Sequence, residues 1–83
     1  MHYKFIMIKI NRLEEVFLEH NIYNRRISEL LNVTESTVSR WVHNKQQPDL
    51  YKLYKIAEYL KMDIRDLLHK SEWMKGEKNF DKV

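Results

Sequence analysis

Four polar side chains between residues 35 and 43 stand at a spacing that places them together if the segment is helical. At about 100° per residue, positions i, i+3, i+4 and i+7 form one stripe along a helix. In this segment those positions are Ser36, Ser39, Arg40 and His43. The stripe offers two hydroxyls, a guanidinium and an imidazole, with one carboxylate, that of Glu35, at its margin. Small hydrogen-bond donors beside an arginine suit close approach to base edges and phosphates in a DNA major groove.

The opposite side of the same segment is apolar. Val38, Trp41 and Val42 fall on that side, away from the polar stripe. A helix with one apolar and one polar face buries the first and exposes the second. We therefore predict a short helix over residues 35–43, which Trp41 anchors to a core and whose polar stripe faces outward.

A second short helix and a tight turn are predicted directly before it. Residues 23–31 carry an apolar stripe that consists of Ile27, Leu30 and Leu31. Only Asn32 and Val33 then separate this stripe from Thr34, a residue type that favours helix N-caps. Val33 and Val38 occupy the two positions of a hydrophobic staple around that start. Two short helices joined by such a turn are typical of a helix-turn-helix.

Three further helices are predicted from caps and apolar stripes. Asn11, followed three residues later by a glutamate, resembles a capping box that opens the first helix. Pro48 cannot continue a helix, so a loop precedes Asp49, which caps the next one. Asp63 caps a last short helix that runs through Leu68. The pattern predicts five helices around a single core.

Taken together, residues 10–68 resemble the Cro/C1-type (XRE-like) helix-turn-helix family of phage-repressor-like DNA-binding domains. The resemblance is carried by residues 27–34 (ISELLNVT), residues 36–41 (STVSRW), Asn44, Lys45, Pro48, Leu50, Leu53, Lys55, Ile56, Ala57, Leu60, Asp66, Leu67 and Leu68. It implies an all-α, five-helix, lambda-repressor-like domain whose second and third helices form the helix-turn-helix.

Three asparagines stand where the family usually has glycine at helix ends. They are Asn21, Asn32 and Asn44. After glycine, asparagine is the residue that best tolerates the left-handed conformation at such an end. We therefore predict that the turns are retained. The family's common glutamine at the start of the first motif helix is Asn24 here, one methylene shorter.

By resemblance, the outward residues of the helix over 35–43 read DNA bases, and flanking residues hold phosphates. The candidate base readers are Glu35, Ser36, Ser39 and Arg40. The candidate phosphate contacts are Asn24, Arg25, Thr37, His43 and Lys45. Because one domain of this size covers few base pairs, we expect a homodimer on a palindromic operator. The expected function is a sequence-specific, repressor-like regulator of transcription that binds double-stranded DNA.

Composition limits the other classes of protein. The chain has 83 residues, 43% of them hydrophobic, which is material for one small core, and it has no cysteine. Its net charge of +3 is too small to establish nucleic-acid binding by itself. The histidines show no metal-binding spacing, and no serine stands in a nucleophile motif. We therefore expect no enzyme activity, no cofactor and no metal. From the family, we expect a cytoplasmic protein of a bacterium or phage.

Two flanking segments stay unassigned around a domain expected over residues 10–69. Residues 1–9 form a leader, a short strand or an extension of the first helix. Their apolar run is too short to span a membrane. Residues 70–83 form a charged tail that contains Trp73 and Phe80 and is a candidate surface for self-association or a protein partner.

Two alternative functions remain open. The chain is an autoregulatory antitoxin or a restriction–modification controller if its DNA binding serves only its own operon. It is a protein-interaction module if it keeps the fold but binds a partner through Trp73, Phe80 and the tyrosine-rich fourth helix. A neighbouring toxin or methyltransferase gene would identify the first alternative. Absence of sequence preference for duplex DNA would identify the second.

Overall fold

Four α-helices and one 3-10 helix make up the computed structural model, which describes residues 8–73. They are α1 (Leu13–Glu19), α2 (Asn24–Leu31), α3 (Glu35–Val42), α4 (Leu50–Leu60) and the 3-10 helix Ile64–Leu67. No strand forms within these residues; Asn11 and Leu68 make an isolated antiparallel bridge. This part of the chain is therefore all-helical. The predictions on residues 1–7 and 74–83, Phe80 included, lie outside the described residues.

The fifth helix that the sequence predicts is not confirmed as an α-helix. Asp63 does cap the segment, since its carboxylate accepts a hydrogen bond from the backbone N–H of Arg65 (2.8 Å). Hydrogen bonds from the Arg65 side chain and backbone lower the pKa of Asp63 to about 2. The helix ends after a single 3-10 turn because Leu68 becomes extended (φ −121°, ψ 146°) and pairs with Asn11.

Apolar residues from every helix meet in one core. The buried members are Leu13, Val16, Phe17, Ile27, Val38, Trp41, Val42, Leu53, Ile56, Ala57 and Leu67. Trp41 is only 3% exposed, so the predicted burial of the apolar face of α3 is confirmed. Leu30 was expected on the inner stripe of α2 but is 40% exposed, because α2 buries only Ile27 and Ser28.

The turn between α2 and α3 is short and is determined by neighbouring residues. Asn32 ends α2 in the left-handed conformation (φ 56°, ψ 48°). The N–H of Val33 then donates to the carbonyl oxygen of Ser28 (3.0 Å). Thr34 caps α3 as predicted: its Oγ1 accepts a hydrogen bond from the backbone N–H of Thr37 (3.1 Å). These bonds fix the angle at which α3 begins.

Left-handed residues end three of the other segments as well. Asn21 (φ 55°) and Asn44 (φ 57°) adopt this conformation, as Asn32 does, so the prediction for all three asparagines is confirmed. Lys61 (φ 57°) ends α4 in the same way and was not predicted. The backbone N–H of Lys61 donates to the carbonyl oxygen of Glu58 (3.2 Å), so this group is hydrogen-bonded at the end of α4.

Three polar side chains tie the segment before α1 to the loop after α3. Oδ1 of Asn44 accepts hydrogen bonds from the backbone N–H groups of Ile10 (2.8 Å) and Asn11 (2.9 Å). The buried Asn11 amide donates to the carbonyl oxygen of Trp41 (2.8 Å) and to Oε1 of Gln47 (2.7 Å). Oδ1 of Asn11 accepts the N–H of the first residue of α1 (3.0 Å). The end of α3 is thus fixed against the start of α1.

Candidate nucleic-acid interface

The outward side of α3 forms one polar surface. Glu35, Ser36 and Arg40 are exposed there, and Ser39 is half-buried beside them. The other side of the helix is fixed in the core through Val38, Trp41 and Val42. The four residues predicted to read bases therefore lie on one accessible face of α3, and the buried side chains fix the rotation of the helix about its axis.

Three hydroxyl groups cluster at the start of α3. Thr34 Oγ1 lies 3.1 Å from Ser36 Oγ and 2.9 Å from Thr37 Oγ1. Either oxygen of each pair can be the donor, and Thr34 Oγ1 also accepts the backbone N–H of Thr37 (3.1 Å). The two contacts use two of the three hydroxyl hydrogens, so one hydrogen of this cluster remains for an outside acceptor.

Arg40 is held on two sides by other side chains. Its Nε donates to Oε1 of Gln46 (3.0 Å), and its Nη2 donates to Oγ1 of Thr37 (3.3 Å). No carboxylate within residues 8–73 forms an ion pair with its guanidinium. Arg40 therefore presents an uncompensated positive charge, and three of its five N–H donors stay available for an outside partner.

His43 and Lys45 lie just beyond the C-terminal end of α3. The Nδ1–H of His43 donates to the carbonyl oxygen of Ser39 (2.9 Å), which leaves Nε2 as the nitrogen for an outside partner. Lys45 is exposed, and its backbone N–H donates to the carbonyl oxygen of Arg40 (2.9 Å). Both side chains flank the polar face and do not interrupt it.

Asn24 and Arg25 flank the other end of α3. They line, together with Glu35, a surface depression of about 410 Å³ between the first three helices. Nε of Arg25 lies 3.7 Å from the Glu29 carboxylate, a distance typical of a weak, exposed ion pair. The predicted phosphate contacts thus divide into a pair at the start of α2, Thr37 on the flank of α3, and a pair after its end.

The second arginine of α2 is directed elsewhere. Nε of Arg26 donates to the Tyr59 hydroxyl (3.0 Å), and its guanidinium carbon lies 5.9 Å from the centre of the Tyr59 ring. This hydrogen bond raises the pKa of Arg26. Arg26 therefore joins α2 to α4 and is separate from the polar face of α3.

Gln46 is a residue of this surface that sequence reasoning missed. It lies in the loop that the sequence marks only by Pro48, and its side chain accepts the Nε–H of Arg40. The sequence does place a long amide side chain six residues after Arg40, across the end of α3. That spacing indicates a contact only once the loop is known to fold back on the helix.

Neither a metal centre nor a membrane span is found in the described part of the chain. Among residues 8–73, no three His, Asp or Glu side chains are grouped so as to hold a metal ion. No helix there has the length and apolar character needed to cross a membrane.

A helix-turn-helix that presents an exposed polar helix is typical of DNA-binding domains. Residues 12–70 match the Cro/C1-type HTH DNA-binding domain, and the chain belongs to that family. The resemblance read from the sequence is thereby confirmed. No curated protein matches the chain significantly.

Two solved structures are similar to the chain along most of its length. A Bacteroides fragilis protein described as DNA-binding is 40% identical, with a TM-score of 0.71; the match covers 75% of this chain and 100% of that one. A transcriptional regulator from Listeria innocua is 29% identical, with a TM-score of 0.68, over 84% of this chain and 68% of that one. These neighbours support a DNA-binding regulator.

Proposed function

We propose that the chain is a sequence-specific, repressor-like regulator that reads the major groove of duplex DNA with α3. The observation that carries this proposal is the contrast between the two faces of α3. One face is buried through Trp41, and the other presents Arg40 with no carboxylate partner within residues 8–73. A helix fixed in this way enters a groove as a rigid body, so its outward side chains meet base edges at a defined register.

Base readout and phosphate contacts are assigned to different residues. We assign base contacts to Glu35, Ser36, Ser39 and Arg40, of which Arg40 is the strongest because a guanidinium bonds guanine O6 and N7 together. Phosphate contacts fall to Asn24, Arg25, Thr37, His43 and Lys45, which lie around that face. Phosphate contacts set position and orientation, whereas base contacts set sequence preference.

The size of α3 favours a two-fold assembly on DNA. Its eight residues span only a few base pairs, so one domain alone carries little sequence information. We propose a homodimer on a palindromic operator whose half-sites are centred roughly 34–36 Å apart, one turn of the duplex. Such a regulator of bacterial or phage genes acts in the cytoplasm, where that DNA lies.

Arg40→Ala tests the proposal most directly. Duplexes are first selected from a random pool with the wild-type chain, and affinities are then measured for single-base variants at fixed salt. We expect the substitution to lower discrimination at one base pair of each half-site by about 1–3 kcal/mol. Melting stays near wild type because the exposed side chain contributes little packing.

Two further variants serve as a charge control and as a comparison with a phosphate contact. Arg65→Ala removes the same charge from the 3-10 helix, where the guanidinium pairs with Asp63 (2.7 Å), and it leaves discrimination intact. Lys45→Ala weakens binding to all duplexes alike and lowers the log–log salt slope by about 0.9. Unchanged discrimination in Arg40→Ala at every position would contradict base reading by Arg40.

A protein-interaction module is the second candidate, and exposed apolar residues favour it. Leu50, Tyr51 and Tyr54 on α4 are exposed, and so is Trp73. Under this alternative the chain binds duplexes without sequence preference, and the random-pool selection yields no common site. An autoregulatory antitoxin or controller instead yields a site within its own promoter region.

A further inference from the structure

We infer that Gln46 is a specificity-determining residue that aims the guanidinium of Arg40 at its base pair. The inference rests on the proposed function, since it presumes that Arg40 reads a base. Gln46 itself is a positioning residue: it acts through the hydrogen bond that its Oε1 accepts from Nε of Arg40 (3.0 Å).

The backbone after α3 brings Gln46 back beside Arg40. Asn44 adopts the left-handed conformation (φ 57°), which reverses the chain at the end of the helix. The N–H groups of Lys45 (2.9 Å) and Gln46 (3.3 Å) then both donate to the carbonyl oxygen of Arg40. The backbone at Gln46 is therefore held by a bond to the same residue whose guanidinium its side chain contacts.

The hydrogen-bond donors of Arg40 show what this contact selects. A guanidinium has five N–H donors. Gln46 takes the single hydrogen of Nε, and Thr37 takes one hydrogen of Nη2. The donors left over, two on Nη1 and one on Nη2, lie on the terminal nitrogens. Gln46 and Thr37 together thus direct the end of the guanidinium, rather than its Nε side, toward a pair of acceptors such as guanine O6 and N7.

Holding the side chain in advance also lowers the cost of binding. A free arginine on a surface loses rotamer freedom when it meets a base, and a side chain already fixed loses less. The benefit falls mainly on the correct base pair, because only that pair meets the fixed guanidinium with both acceptors. Gln46 therefore affects discrimination more than overall affinity.

The adjacent glutamine has a different environment and provides a contrast. Oε1 of Gln47 accepts from the buried Asn11 amide (2.7 Å), and its Nε2 donates to Asn44 (3.1 Å). Gln47 is half-buried, whereas Gln46 is exposed. Gln47 thus fixes the loop, whereas Gln46 holds Arg40. We therefore expect Gln47→Ala to lower the stability of the fold and Gln46→Ala to leave it unchanged.

The test is a double-mutant cycle on discrimination, with duplexes selected from a random pool by the wild-type chain. Gln46→Ala is expected to lower discrimination at the Arg40 base pair roughly three- to tenfold, the range for one lost hydrogen bond. In an Arg40→Ala background the same change has no further effect on discrimination. Gln46→Glu keeps the acceptor, so it retains discrimination while weakening binding to every duplex by repulsion from phosphates. Thermal melting of Gln46→Ala stays at the wild-type temperature.

The outcomes separate this inference from the proposed function. If Arg40→Ala loses discrimination and Gln46→Ala does not, the inference is wrong and the proposed function stands. If Gln46→Ala loses discrimination equally in both backgrounds, Gln46 meets the base itself and does not act through Arg40. If Arg40→Ala keeps full discrimination, base reading by Arg40 fails, and the inference fails with it.

Discussion

At the start of α3 the fixing bonds stay within the turn, whereas its end has local bonds and, in addition, bonds to a distant part of the chain. Thr34 Oγ1 accepts the N–H of Thr37, three residues further on. Asn44 Oδ1 accepts the N–H of Ile10, which lies 34 residues earlier. Both sets of bonds hold the same eight-residue helix, but only the first set joins residues that are close in the sequence. A helix-turn-helix can thus be recognised from its sequence while the anchoring of its far end stays hidden.

Trp41→Ala is expected to have the largest effect, because the side chain is only 3% exposed and fixes α3 to the core. We expect a loss of about 3–5 kcal/mol in the free energy of unfolding, the range for truncation of a large buried aromatic residue. Denaturant unfolding measures it. Arg40→Ala, the neighbouring position on the opposite face, serves as the control and stays within about 0.5 kcal/mol of wild type. A wild-type unfolding midpoint in Trp41→Ala would mean that the ends alone hold α3.

Asn44→Gly separates the left-handed backbone from the distant bonds, because glycine keeps the first and removes the second. We expect a loss of about 1–3 kcal/mol, since the backbone N–H groups of Ile10 and Asn11 lose their acceptor. Asn32→Gly is the matched control at the other end. Asn32 is exposed with φ 56°, and its side chain makes no hydrogen bond within residues 8–73, so we expect a change within about 0.5 kcal/mol. Equal effects of the two substitutions would remove the difference between the ends.

Thr34→Ala has the smallest expected effect of the three substitutions, about 0.5–2 kcal/mol, which is the usual cost of losing an N-cap oxygen. Thr34→Ser keeps that oxygen and is expected to unfold close to wild type. Both are measured by the same denaturant unfolding. Should Thr34→Ala cost more than Asn44→Gly, the local cap would be the stronger of the two attachments and the comparison would be reversed.

Structural features whose partners lie three or four residues apart were predictable from the sequence. The Thr34 cap and the buried face around Trp41 follow from residue types at a local spacing, in which the partner is a near neighbour. The helix-turn-helix, and with it the polar face of α3, could be located for this reason. The left-handed asparagines follow instead from the resemblance, because they stand where the family usually has glycine.

Features that depend on distant partners were not predictable in the same way. The bonds of Asn11 join residues 30 and 36 positions apart, which become neighbours only through packing. The segment after Asp63 carries a valid cap and an apolar pattern, yet it is diverted into a bridge with Asn11 after one turn. Lys61 is left-handed although lysine gives no signal for that conformation. The contact between Gln46 and Arg40 was missed because the path of the loop was unknown.

The pairing of Asn11 with Leu68 has a mechanical consequence. The N–H of Arg12 donates to Leu67 (2.8 Å) and the N–H of His69 donates to Ile10 (2.9 Å), so the two segments run antiparallel and leave the domain in the same direction. A force that pulls these two segments apart therefore breaks their hydrogen bonds in sequence and not simultaneously. Because Asn44 accepts hydrogen bonds from Ile10 and Asn11 of the same segment, pulling that segment away from the domain also removes the bonds that hold the loop after α3.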